Sequence, residues 1–325
     1  MKLIIHNRFT TRHTKQEPVT DYRLHFISEE DWSTIALTKI GNPPALKLEM
    51  SLDWEAWSDY TIWDVITLNK WDKLYLRNKS LTQVKCGIWS ASYYNFVMSW
   101  LIWAYWIIDY IVINDPAELT QYVWTYTYYK LFYDCASLTH APYLPTMWLV
   151  PSCYRNMFQW CTSLTIPPEL PATTLQQYCY QNMFDWSWLL EAPELPATEL
   201  AIYCYAYMFQ NCKSMKRSSR LPATTLMHHS YYNMFNLCDN LETLNVLPAV
   251  DVPDFTYYHM YYWCTKIKLS TTMTWDYKYQ FRIPSEWDVW TLWSSPFAWM
   301  FNNTWWTFKL TPVAWTVYYT ENLVI

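Results

Sequence analysis

Leu170-Pro171-Ala172-Thr173-Thr174-Leu175, followed by Tyr178-Cys179-Tyr180 and Met183-Phe184, returns as Leu221-Pro222-Ala223-Thr224-Thr225-Leu226, followed by Tyr231-Tyr232 and Met234-Phe235. Working outward from this pair, the anchor Leu131-Phe132 recurs as Met157-Phe158, Met183-Phe184, Met208-Phe209, Met234-Phe235 and Met260-Tyr261, at steps of 26, 26, 25, 26 and 26 residues. The leucine-preceded prolines Pro145, Pro171, Pro196, Pro222 and Pro248 keep the same step. So does a third column, Cys135, Cys161, Ser187, Cys212, Cys238 and Cys264, followed three residues later by Leu138, Leu164, Leu190, Met215, Leu241 and Ile267. A fixed period of this size marks stacked units, none of which buries its apolar face alone.

Within one unit, residues 163–166 predict a short strand ended by Pro167-Pro168. Pro171, the threonines after it and the mixed three- and four-residue spacing of Leu175, Tyr178, Cys179 and Met183 predict a short helix. Before the repeats, alternating runs at residues 36–38, 46–50, 60–62, 65–68 and 73–76 predict short strands of a small β-sandwich. After them the period is lost, but Met300-Phe301 echoes the anchor once, as a terminal covering unit would. The expected class is therefore α+β: an N-terminal tail (1–22), a β-rich sandwich-like module with its connector (23–115), a solenoid of about 26-residue units (116–270) and a C-terminal cap (271–325).

Composition bounds the function. Of 325 residues, 52% are hydrophobic and 16% charged, with a formal net charge of -5. The chain folds, and no basic run exceeds Lys216-Arg217, which argues against nucleic-acid and anionic-membrane partners. The N-terminal Met1-Lys2-Leu3-Ile4-Ile5 gives way to His6 and Asn7 too soon for a signal-peptide core. Residues 96–113 are apolar enough for a membrane span to be weighed. Asp109 and the tryptophans within that stretch argue against one.

One feature is abnormal. The chain has 2 glycines and 23 tryptophans, where an average chain of this length has roughly 23 glycines. The tryptophans fall where turns want glycine: Asn69-Lys70-Trp71-Asp72 separates two strand-like runs, and Asn302-Asn303-Thr304-Trp305-Trp306-Thr307 has polar flanks. The codon UGA is read as tryptophan in some genetic codes and as glycine in others, so the pattern predicts recoding of most of these positions.

Nothing singles out a catalytic, cofactor or metal site. No Cys-x-x-Cys occurs, and Ser187 and Ser230 replace cysteine at equivalent positions, which points to core thiols rather than disulfides or metal ligands. His228-His229 are adjacent and would diverge on a helix. Gly41 and Gly87 belong to no phosphate loop. The repeat tyrosines are expected to pack between units. A binding face is expected instead on strand and loop positions that vary between units, with Thr139, His140, Thr165, Ile166, Lys213, Lys216 and Arg217 as candidates.

The run from Thr162 to Leu175, with Tyr178-Cys179-Tyr180 and Met183-Phe184, resembles the BspA-like leucine-rich-repeat proteins of bacterial surfaces and of some viruses and protists. The resemblance covers roughly half of the chain, and residues 28–34 and 60–69 look like the β-rich module that often precedes such repeats. It implies a leucine-rich-repeat-like solenoid without catalytic residues or cofactors, serving adhesion at a cell surface through a protein or glycan ligand. It also implies glycine at the positions of Trp32, Trp63 and Trp160. The expected function is a non-enzymatic adhesion or receptor-binding protein, extracellular or at a cell surface. The alternative is a self-associating structural or assembly protein of a virion, including that of a phage.

Overall fold

The computed structural model describes residues 24–79, 86–89, 91–105, 107–112, 125–242, 244–245 and 247–267, with 281–282, 299–304, 307–308, 317–318 and 323–324 beyond them. The expected tail and most of the expected cap lie outside these residues.

The described chain is mostly strand with almost no helix. Its first part forms β1 (His25–Ser28), β2 (Ser33–Ile40), β3 (Leu48–Ser51), β4 (Ser58–Tyr60), β5 (Ile66–Leu68), β6 (Lys73–Asn78), β7 (Gly87–Trp89), β8 (Ser92–Ser99), β9 (Ile102–Tyr105) and β10 (Leu138–His140). Alternation drives these elements. In β6, Leu74, Leu76 and Asn78 are buried while Lys73, Tyr75 and Arg77 are half-exposed, the period-2 pattern of a strand with one face on a core. Two open sheets result, ordered β10-β9-β1-β6-β3-β4 and β5-β2-β8-β7. They share one core, in which Phe26 of β1 meets Phe96 of β8 with ring centroids 4.9 Å apart. The Tyr60 hydroxyl of β4 also accepts the Leu37 N–H of β2 at 2.8 Å.

The apolar stretch weighed as a membrane span runs through the end of β8, the turn at Trp100, β9 and a single 3-10 turn, Ile108–Ile111. No helix among the described residues is long and apolar enough to cross a membrane.

The helices expected in the repeats do not form. Residues 125–135 and their counterparts are successive turns in which every fourth residue has positive φ: Tyr126, Lys130 and Asp134, then Ser152, Asn156 and Trp160, then Tyr178, Asn182 and Trp186, and so on. An α-helix cannot contain such residues. The N–H groups instead divide their work. Those of Tyr129, Leu131 and Tyr133 donate three residues back within the unit, while those of Tyr128, Lys130, Phe132 and Asp134 donate to Cys153, Arg155, Met157 and Gln159 of the next. Every second backbone donor thus ties one unit to its neighbour, which satisfies buried polar groups without a helix.

The side chains follow the same step. Tyr128, Tyr154, Tyr180, Tyr205, Tyr231 and Tyr257 stack as one buried column at 5.3–5.9 Å. Phe96, Phe132, Phe158, Phe184, Phe209, Phe235, Tyr261 and Phe301 form a second, so the module begins it and the echoed anchor extends it. The thiols of Cys161, Cys212, Cys238 and Cys264 donate to Phe132, Phe184, Phe209 and Phe235 carbonyls at 3.0–3.1 Å. All nine cysteines are free and buried, and burial pushes the Cys179 and Cys212 thiols up to about 12. One anchor differs from its expected place: Leu189 is buried, whereas Leu190 is exposed. The short 25-residue unit drops its missing residue between Ser187 and Leu189, which turns Leu190 outward.

Candidate binding face

The segment that closes each unit bridges in parallel to the next, continuing from the edge of the six-stranded sheet, but beyond β10 these are isolated bridges rather than the strand expected at residues 163–166. β10 pairs with β9 through Leu138↔Ile102 and His140↔Trp103. His140 then pairs with Ile166, and Glu191 with Arg217. Backbone N–H groups complete the ladder: Leu190 donates to Thr165 at 3.0 Å, Lys216 to Leu190 at 2.9 Å and Glu242 to Lys216 at 3.0 Å. Two rows follow, Thr139, Thr165, Leu190, Lys216 and Glu242 beside His140, Ile166, Glu191 and Arg217.

Six of the seven candidates therefore lie on one ladder. The seventh, Lys213, lies on the turn before it, where its carbonyl accepts the Asn240 side-chain amide at 2.6 Å and its ammonium is 4.0 Å from Asp239. The expected set lacked Leu190, Glu191 and Glu242. Counting from the unit's buried aliphatic residue, Leu189, rather than from Ser187 would have placed Leu190 and Glu191.

Electrostatically the ladder grades from a half-buried neutral end to an exposed charged one. The Thr139 hydroxyl donates to Glu29 at 2.9 Å, and the His140 ring packs 4.6 Å from Trp103. Burial holds His140 below its usual range, against the opposing pull of Glu29. Further along, Ile166 is 56% exposed. Arg217 sits 3.3 Å from Glu191 with both side chains in solvent, a pair that water screens.

A second ladder joins Trp148, Thr174, Glu199 and Thr225 in parallel bridges. Thr174 and Thr225, expected near the start of a helix, lie in these bridges instead. His229, half of the histidine pair, is stacked between Tyr203 at 4.3 Å and Phe255 at 4.9 Å. Comparison of the chain with family models, curated proteins and solved structures finds no match.

Proposed function

We propose that this chain is a non-enzymatic adhesion or receptor-binding protein, in which a leucine-rich-repeat-like solenoid follows a β-sandwich module and presents its strand ladder to a protein or glycan on a cell surface. The observation that carries the reading is a contrast between columns. The buried columns repeat one chemistry from unit to unit, tyrosine on tyrosine and phenylalanine on phenylalanine. The ladder rows vary along their length, Thr, Thr, Leu, Lys and Glu in one and His, Ile, Glu and Arg in the other. Uniform interiors with a variable exposed face are how repeat proteins build extended binding surfaces. The resemblance to BspA-like proteins supports the same reading, with a location at a cell surface or on a virion.

Purified monomer is expected to bind intact cells. Lys216→Glu with Arg217→Glu should weaken that binding about tenfold or more while the melting temperature stays close to that of the parent chain. Concentration-dependent assembly with no cell binding would contradict the proposal and favour a virion assembly protein.

A further inference from the structure

Within residues 24–112, the described residues with positive φ are Trp32, Trp54, Trp63, Trp71 and Trp100, joined by Gly41. No other residue type shares that conformation there. Positive φ occurs in only a few per cent of non-glycine residues, chiefly Asn and Asp, and a bulky residue there is an outlier. Two of the five positions define their turns. Asp64 donates its N–H to Thr61 O, and Asp72 to Asn69 O, both at 3.0 Å. Trp63 and Trp71, with φ of 84° and 70°, are thus the third residues of β-turns, the place where positive φ calls for glycine.

The side chains agree with the backbone. Trp32 is 72% exposed and Trp71 52%, while Trp54 is half-exposed with its ring against Trp57 and Tyr75; among the described side chains no tryptophan is buried, although tryptophan is on average a well-buried residue. In the repeats, the third positive-φ position of each unit is Asp134, Trp160, Trp186, Asn211, Leu237, Trp263 and Asn303. Asp and Asn tolerate that backbone, but Leu237 shares the column and Tyr178, Tyr203 and Phe255 hold positive φ elsewhere in the units, so positive φ singles out tryptophan only within residues 24–112. Trp57 is the contrast. It has no positive φ, the Arg77 guanidinium lies 3.8 Å over its ring, and its indole N–H donates to Trp54 O at 3.1 Å.

We infer that the five tryptophans held at positive φ within residues 24–112 are glycines in the protein made by its native cell, which reads UGA as glycine. Tryptophans with ordinary backbone and packed rings, Trp57 first, are true tryptophans encoded by UGG.

The test is peptide mass spectrometry on protein purified from its native source, reading the tryptic fragment 48–70. Glycine at 54 and 63 with tryptophan at 57 is the expected result, matched by UGA, UGA and UGG in the gene. Tryptophan at 54 or 63 overturns the inference. Glycine at 57 as well would cut its tie to backbone conformation and overturn it in this form.

Discussion

Asp109→Asn should change the pH dependence of stability by about 3 kcal/mol. Asp109 lies in the core on the 3-10 turn, 4% exposed, and accepts a hydrogen bond from the buried Tyr128 hydroxyl. Burial pushes its carboxyl from 3.8 up to about 6, against a smaller downward pull from Tyr128. The folded value is raised above the unfolded one, so the native state holds the extra proton between them. Its contribution is complete below about pH 4 and is lost as pH rises through about 6. A gap of about two units is worth about 3 kcal/mol. Asparagine keeps an acceptor for Tyr128 but carries no charge, so the stability difference, variant minus parent, should rise by about that amount between pH 4 and pH 7.5. Any fixed cost of burying the amide cancels in that difference, as do histidine titrations common to both proteins. Urea unfolding at the two pH values measures it, and a difference that does not vary with pH would contradict the account.

Phe184→Ala should cost about 3–5 kcal/mol. Its ring is fully buried between Phe158 at 5.6 Å and Phe209 at 5.7 Å, so truncation opens a cavity that two neighbouring units line. Trp186→Ala, two residues away, removes an exposed indole whose backbone has φ 63° and should shift stability by about 0.5 kcal/mol or less. Chemical denaturation of the two variants side by side separates a column that holds units together from one that lies on the surface.

The repeat was legible because its columns are contact columns. Met183-Phe184 returns at a constant step since each ring needs the same ring above and below it. The helix was misread because Leu175, Tyr178, Cys179 and Met183 mix three- and four-residue spacings, as a helix face does; the buried residues of the unit before, Cys153, Tyr154, Met157, Phe158 and Cys161, show the true step. Their period is four throughout, whereas a helix of 3.6 residues per turn would rotate each successive pair off the buried face. The fourth-residue Asn and Trp, at 156, 160, 182 and 186, were the remaining signal for turns. The five strands expected between residues 36 and 76 overlap β2 to β6, of which β6 alternates most cleanly. β9 was hidden in an apolar stretch that periodicity alone could not divide. The ladder positions were legible as variable residues beside a buried aliphatic column, but their continuation through Leu190 and Glu191 depended on where the short unit loses its residue. The buried carboxylates were illegible. Asp185 is held by the side-chain amides of Gln159, Asn182 and Asn211, three partners drawn from three different units.

Deletion of one whole unit tests the stacked-repeat account most directly. Removing residues 196–221 joins Leu195 to Pro222 and restores the leucine-proline step, so each remaining column should close on its next neighbour. The shortened chain should unfold in one cooperative transition, with a urea m value reduced in proportion to the length removed. Removing only residues 196–208 should abolish that transition, because every column beyond the cut would fall out of register. Loss of cooperative unfolding in the whole-unit deletion, to the same extent as in the half-unit deletion, would contradict the account.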